Sequence, residues 1–180
     1  PELTVGCEIC EDLWVANPPG TNHGLMGASV IVNLSASNET VGKGEYRELL
    51  VRSASARLIC GYIYASAGEG ESTQDLVFGG HNLIAENGVI LAQSKRFTGE
   101  TVYGDLDLQR IAAERRRMGT FGKEPDLSYV AVPFKLNIME TKLERSFERM
   151  PFVPKDQAAR NKRCEEILSI QAFGLKKRYE

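Results

Sequence analysis

Cys10 lies in the stretch G-C-E-I-C-E-D-L-W, Gly6 to Trp14, where an apolar run from Leu3 to Ile9 gives way abruptly to Glu11 and Asp12. The run reads as a buried strand, and the charges as the turn that follows it ahead of a short helix. A cysteine at that junction is held at the rim of a sheet, where backbone N–H groups after it can face an oxyanion, as the nucleophile of an acyl transfer requires. The competing reading is a cysteine that only packs, because free cysteines are among the most buried residues. Cys7 and Cys10 also form a single C-x-x-C. Residues three apart on an extended strand point to opposite faces, and no second such pair or histidine pair follows, which argues against a redox couple or a zinc site.

The elements that would position Cys10 follow in order. Asn17–Gly20 breaks the chain, Thr21 or Asn22 can cap a short helix through Met26, and Ser29–Leu34 alternates into a second strand that ends in the polar Ser35–Glu39. Parallel strands joined by a short helix end on the same sheet edge, which brings Ser37 and its neighbours toward Cys10. From Lys43 to about Cys60, Tyr46, Leu49, Leu50, Ala54 and Leu58 recur at helical spacing, with Arg47, Arg52 and Arg57 on other faces. Tyr62–Ala67 reads as a strand, followed by a glycine-rich loop whose Glu69 and Glu71 would repel phosphate. Asn87-Gly88 marks a hairpin. Thr101–Leu106 reads as a further strand, and Asp107 caps a helix over Leu108–Met118 with Glu114 and Arg115–Arg117 outward. A loop over Gly119–Ser128, a strand over Tyr129–Phe134 and an extended connection over Phe147–Pro154 lead to a helix that Asp156 caps and that runs to about Phe173. The order predicts an α/β fold with a mixed sheet.

The sequence has 180 residues, 42% hydrophobic and 26% charged, with a formal net charge of −2. That balance fits a globular protein and offers no field for nucleic acid or anionic lipid. No apolar run approaches the roughly 20 residues that span a bilayer, so no membrane partner is expected. Four cysteines in a chain of this length do not form a disulfide framework, and reduced thiols fit a cytoplasmic location.

The run E-I-C-E-D-L-W, followed by G-A-S-V-I-V-N-L-S-A-S, R-S-A-S-A-R, Y-A-S-A-G-E-G-E-S-T-Q-D-L-V-F-G-G and E-N-G-V-I-L-A-Q-S-K-R-F, closely resembles the glutaminase domains of glutamine-dependent NAD synthetases, within the nitrilase superfamily. The resemblance implies a nitrilase-like αββα sandwich, of which this chain holds mainly the second half, one mixed sheet with flanking helices. It places that part at residues 1–154 and a linker helix toward a synthetase domain at 155–180. It implies Cys10 as the nucleophile that forms a thioester with glutamine. It also implies Glu11, Ser37 and Lys43 as glutamine-binding positions, with the Glu11 N–H facing the oxyanion. The family's general-base Glu and intermediate-stabilising Lys belong to motifs upstream of the nucleophile and match nothing here, so these residues alone are expected to be inactive. No cofactor is expected in this segment, ATP and magnesium being expected in the synthetase domain. The expected partners are glutamine, the other half of the sandwich, the synthetase domain and further copies of the chain.

Trp14 and Tyr64 could line a pocket, but aromatic residues at strand ends are more often core. His23 and His81 lack a partner carboxylate at an interpretable spacing, which argues against a Cys-His dyad. Two other readings stay open: a stand-alone nitrilase-family amidase, and a non-catalytic half-domain. The glutamine reading makes Glu11→Gln informative. Loss of the charge that pairs with an α-ammonium group should raise KM for glutamine while kcat changes little, and steady-state kinetics with an unchanged KM and a kcat about tenfold lower would instead place Glu11 among the catalytic groups.

Overall fold

The structure is a computed structural model that describes residues 3–122, 128–137, 139, 142, 145–147, 149–150 and 152–179. Strands β1 (Val5–Ile9), β2 (Val30–Ser35), β3 (Gly61–Ser66), β4 (Leu83–Glu86) and β5 (Val89–Gln93) form one sheet whose spatial order equals their order in the chain. β1, β2 and β3 run parallel, linked through helices α1 (Pro19–Leu25) and α2 (Lys43–Arg57), and β3, β4 and β5 run antiparallel. Parallel neighbours need a crossover, whereas β4 and β5 need only Asn87 and Gly88, whose φ values of 45° and 84° match the right-handed twist of a hairpin. Helices α3 (Leu108–Arg117) and α4 (Gln157–Tyr179) complete the described elements. The chain divides into two compact units, residues 1–144 and 145–180.

In the first unit both crossover helices lie on one face of the sheet. That face carries Glu8 of β1, Ile31 and Asn33 of β2, Tyr62 and Tyr64 of β3, and Leu83 and Ala85 of β4, all buried. Val51, Ala54 and Leu58 of the α2 region pack with these strands, and Leu13 joins them. Gly6 and Gly20 admit α1 closely: a Cβ on Gly6 would stand 2.8 Å from the His23 Cβ, and one on Gly20 would collide with the Glu8 carboxyl. The opposite face is covered at one end, where Leu106 closes on Gly61 and Gly104 on Ile84. At the strands' C-terminal end it is open, with Ile9 69% and Leu34 65% exposed beside exposed Cys7 and Ala65.

Several expectations are corrected. β1 is not buried: Val5, Cys7 and Ile9 lie on the open face, and its one buried residue is Glu8. The runs Val30–Val32 and Tyr62–Ala67 predict an apolar sheet face open to water; Val32 and Ala65 lie on the open face, but Val30 is buried and Tyr62 and Tyr64 point to the helices. Helix α1 starts at Pro19, with Pro18 at its N-cap, rather than after Thr21 or Asn22, because proline at the first helical position loses no hydrogen bond and brings its φ already set. Residues 101–106 and 129–134 form no strand. Arg115 does not point outward. Its guanidinium donates to the carbonyls of Leu58 and Ile59, which the end of α2 leaves without helical partners, and to that of Ala28 ahead of β2, all at 2.7–2.9 Å. Asp107 does cap α3, accepting from the Arg110 N–H at 2.8 Å, and Asp156 accepts from Ala159 N–H at 2.7 Å at the start of α4, which extends past Phe173 to Tyr179. None of the α4 side chains is buried. Parts of the expected loop over Gly119–Ser128 and of the connection over Phe147–Pro154 lie outside the described residues.

The largest departure concerns the buried face of α2. It runs Gly44, Arg47, Val51, Ala54, Ser55 and Leu58, while Tyr46 and Leu49 are exposed. Small residues at 44, 54 and 55 let the helix sit close to the sheet, and Arg47 enters the core because Glu39 meets it there at 2.7 Å. Replacing Arg47 by Met should therefore weaken the first unit by about 3 kcal/mol, since the buried Glu39 carboxylate would lose its close partner and keep only the more distant, half-exposed Arg96. Arg52→Met, on the solvent side, should change it by less than about 0.5 kcal/mol. Hydrogen exchange of the β3 amides in the natural protein separates the two, being much faster only in the Arg47 variant.

Candidate active site

Cys10 follows β1 directly and opens a 3-10 turn, Cys10–Leu13. Its φ of +48° lies in the left-handed region, which costs an L-residue with a Cβ about 1–2 kcal/mol. The turn is held from several sides. The Asp12 carboxylate accepts the Ile9 N–H at 2.8 Å, the Glu11 carbonyl accepts the Trp14 N–H at 2.7 Å, and Leu13 is buried in the core. Behind it, Asn33 Nδ2 lies 3.4 Å from the Cys10 carbonyl oxygen and 3.4 Å from the Tyr62 hydroxyl oxygen. Tyr62 donates its hydroxyl proton to Glu8 at 2.5 Å, and Glu8 also accepts the Gly20 N–H. Burial first, and the hydrogen bond to Glu8 second, push the Tyr62 phenol well above the ordinary tyrosine range, so it remains the donor. The Cys10 thiol is free and half-buried, with Glu11 exposed beside it.

The second rim comes from β2. The register Ile9↔Leu34 places Cys10 and the segment after Ser35 on the same edge of the sheet, as parallel pairing requires. Ser37 is buried there, and Lys43, the first residue of α2, donates to Asn38 Oδ1 at 2.9 Å. The Lys43 ammonium also stands 5.3 Å from the centre of the Trp14 ring, and Trp14 packs on Tyr46 at 5.5 Å. These contacts bring the cysteine turn and the start of α2 together. Tyr64 belongs to the core, fully buried with its hydroxyl 2.5 Å from Ser35 Oγ.

The histidines do other work. His23 bonds the Cys7 carbonyl at 2.9 Å and the Tyr129 hydroxyl at 2.6 Å. His81 is buried between Arg47, 3.0 Å from its Nδ1, and Gln93, 2.7 Å from its Nε2. Arginine can only donate, so Nδ1 accepts from Arg47. Burial, and then the Arg47 charge, lower the pKa of His81 and keep it neutral. Cys7 and Cys10 are both free thiols, and no metal-binding cluster occurs among the described residues.

Sequence reasoning missed the buried groups behind this edge. Glu39 holds Arg47, lies 3.4 Å from Arg96, and has its backbone N–H on the Val77 carbonyl at 2.7 Å, tying the second rim to the loops before β4 and after β5. The available signal was the spacing 44, 47, 51, 54, 58, which traces one helical face through an arginine. Glu8, a charge in an apolar strand two residues before Cys10, was a similar sign.

Residues 1–116 match the carbon-nitrogen hydrolase family. The chain belongs to that family. It is 43% identical over 99% of its length to the glutamine-dependent NAD(+) synthetase of Mycobacterium bovis, and 44% over 98% to that of Mycobacterium leprae. It spans only 28% and 27% of those proteins. The crystal structure of a nitrilase-superfamily member from Saccharomyces cerevisiae matches 64% of this chain and 42% of its own, with a TM-score of 0.55 at 23% identity. The carbon-nitrogen hydrolase chain thus has the mixed-sheet fold of the nitrilase superfamily.

Its four thiols differ in chemistry. Burial pushes the Cys60 thiol up to about 12, whereas Cys7 and Cys164 are exposed and Cys10 half-buried. Iodoacetamide at neutral pH should therefore modify the other three and spare Cys60 until the chain is unfolded, as peptide mass spectrometry would read. Early modification of Cys60 would contradict its placement in the core.

Proposed function

We propose that this chain is the nucleophile-bearing part of a glutamine amidohydrolase that supplies ammonia to an NAD synthetase. The observation that supports it most is Cys10 itself, held at positive φ on the edge of the sheet in a segment 43% identical to glutamine-dependent NAD(+) synthetases. A thiolate on a rigid turn can reach the side-chain amide carbon of glutamine without moving its own backbone. Attack forms the C–S bond and a tetrahedral oxyanion, and collapse breaks the C–N bond as the nitrogen takes a proton and leaves as ammonia. Water then cleaves the thioester, giving glutamate and the free thiol.

In this reading the Glu11 N–H faces the oxyanion, and its side chain, exposed beside the cysteine, meets the α-ammonium group. Ser37 and Lys43 bind the rest of the amino acid from the second rim. Lys43 would exchange its bond to the neutral Asn38 amide for the substrate carboxylate, a stronger partner for an ammonium. The general base and the lysine that supports the oxyanion come from the remainder of the protein, which is proposed to complete the sandwich over the open sheet face. Residues 1–154 form the hydrolase part and 155–180, with α4, the linker to a synthetase domain. There the ammonia amidates nicotinic acid adenine dinucleotide with ATP and magnesium. The protein is proposed to be cytoplasmic and homo-oligomeric.

In the full-length protein Cys10→Ala should abolish NAD formation driven by glutamine and leave formation driven by ammonium salts largely intact, because the thiolate acts only in releasing ammonia. Parallel assays with the two nitrogen donors decide the matter. Retained glutamine-driven turnover would overturn the assignment, and loss of both activities would point to a structural role.

A further inference from the structure

The turn at Cys10 contains one charged side chain that the proposed reaction leaves without a role. Asp12 is not needed to contact glutamine in that scheme, yet its Oδ2 accepts the N–H of Ile9, the residue just before the left-handed Cys10, at 2.8 Å. Among the described residues β1 pairs only with β2, and the Ile9 amide takes its acceptor from within the turn. On the other side of Cys10 its carbonyl faces Asn33 Nδ2. The strained residue is thus bracketed: the amide before it is fixed by Asp12, and the carbonyl after it faces β2.

We propose that Asp12 is a positioning residue that fixes the direction of the Cys10 thiol, acting as a hydrogen-bond acceptor and not as a charge. The assignment rests on the reading of Cys10 as the nucleophile. Without the Asp12 bond, φ of Cys10 is free to relax toward negative values, which swings Cβ and Sγ away from the position the turn gives them. A misplacement of about 1 Å costs on the order of 10²-fold in a reaction that depends on alignment. Binding of glutamine depends on other side chains and should change little.

The test uses the full-length protein and three substitutions. Asp12→Ala removes the acceptor. Asp12→Asn keeps an acceptor oxygen at the same reach and removes the charge. Asp12→Glu keeps the charge and displaces the acceptor. Asp12→Ala should lower kcat with glutamine on the order of 10²-fold at a KM within about twofold. Asp12→Asn should stay within a few-fold of the parent, and Asp12→Glu should behave like Asp12→Ala. Ammonia-driven synthesis should be unchanged throughout, which reports that the variants fold. Should Asp12→Ala lose that activity too, the comparison of Asn with Glu decides alone. Equal impairment of Asn and Ala, equal activity of Glu and Asn, or a full-rate Asp12→Ala would each overturn the proposal.

Covalent labelling of Cys10 by a diazoketone analogue of glutamine separates this proposal from the reading beneath it. Failure of the parent protein to be labelled at Cys10 would refute the nucleophile assignment. A parent that is labelled, with Asp12→Ala labelled equally fast, would refute the positioning role alone. The expected result is slow labelling by the analogue in Asp12→Ala and an unaltered rate with iodoacetamide, which needs no alignment with the amide-binding site.

Discussion

The carboxyl group of Glu8 is the constraint on which the cysteine edge depends. It is 2% exposed, two residues before Cys10, and accepts from the Tyr62 hydroxyl on β3 and the Gly20 amide on α1. A buried carboxyl without partners would cost several kcal/mol, so β1 has one register in which Glu8 is satisfied. A shift by one residue would turn Glu8 to the open face and drive Ile9 against α1. The same bonds fix where β1 ends, and hence where the strained turn begins. Edge strands are otherwise the least determined part of a sheet, and here a buried polar anchor does what flanking strands would do elsewhere.

The second rim is anchored by the same means with the charges paired. Glu39, from the segment after β2, draws Arg47 into the core, and Arg47 in turn faces His81, whose far nitrogen faces Gln93 of β5. Two of the Arg47 nitrogens, Nε and one terminal nitrogen, have no protein partner, so the arrangement is held mainly by one strong bond and by the shape of the cavity around it. Each rim therefore has a polar foundation: Glu8, Tyr62 and Asn33 behind Cys10, and Glu39, Arg47 and His81 behind the segment from Ser37 to Lys43. Cores built in this way give up some hydrophobic packing in exchange for a definite geometry at the edge.

What the sequence disclosed, and what it hid, follows from that division. The parallel β-α-β-α-β order, the Asn87-Gly88 hairpin and the Asp107 cap depend on local signals, and all three are present. The position of Cys10 on the rim was legible because a strand that ends in charge is a local event. The inward face of α2 was not, because ranking Tyr46 and Leu49 above Arg47 as core residues holds only when no carboxylate waits inside. The strands expected at 101–106 and 129–134 failed for a related reason. Leu106 and Gly104 cover the sheet at Gly61 and Ile84 and do not extend it, a distinction that hydrophobicity alone does not draw.

The identity of strand order and chain order has a consequence for how this unit is made. In many α/β sheets a late strand must enter between two earlier ones, so the growing sheet waits for distant chain. Here each strand is added beside the one before it, from β1 to β5, and no ladder closes a loop longer than one crossover. Each parallel pairing closes one crossover and no more, which limits the loop-closure cost within this segment. Within this segment each described strand after β1 follows its partner in the chain, and β5 needs only a two-residue turn to reach β4.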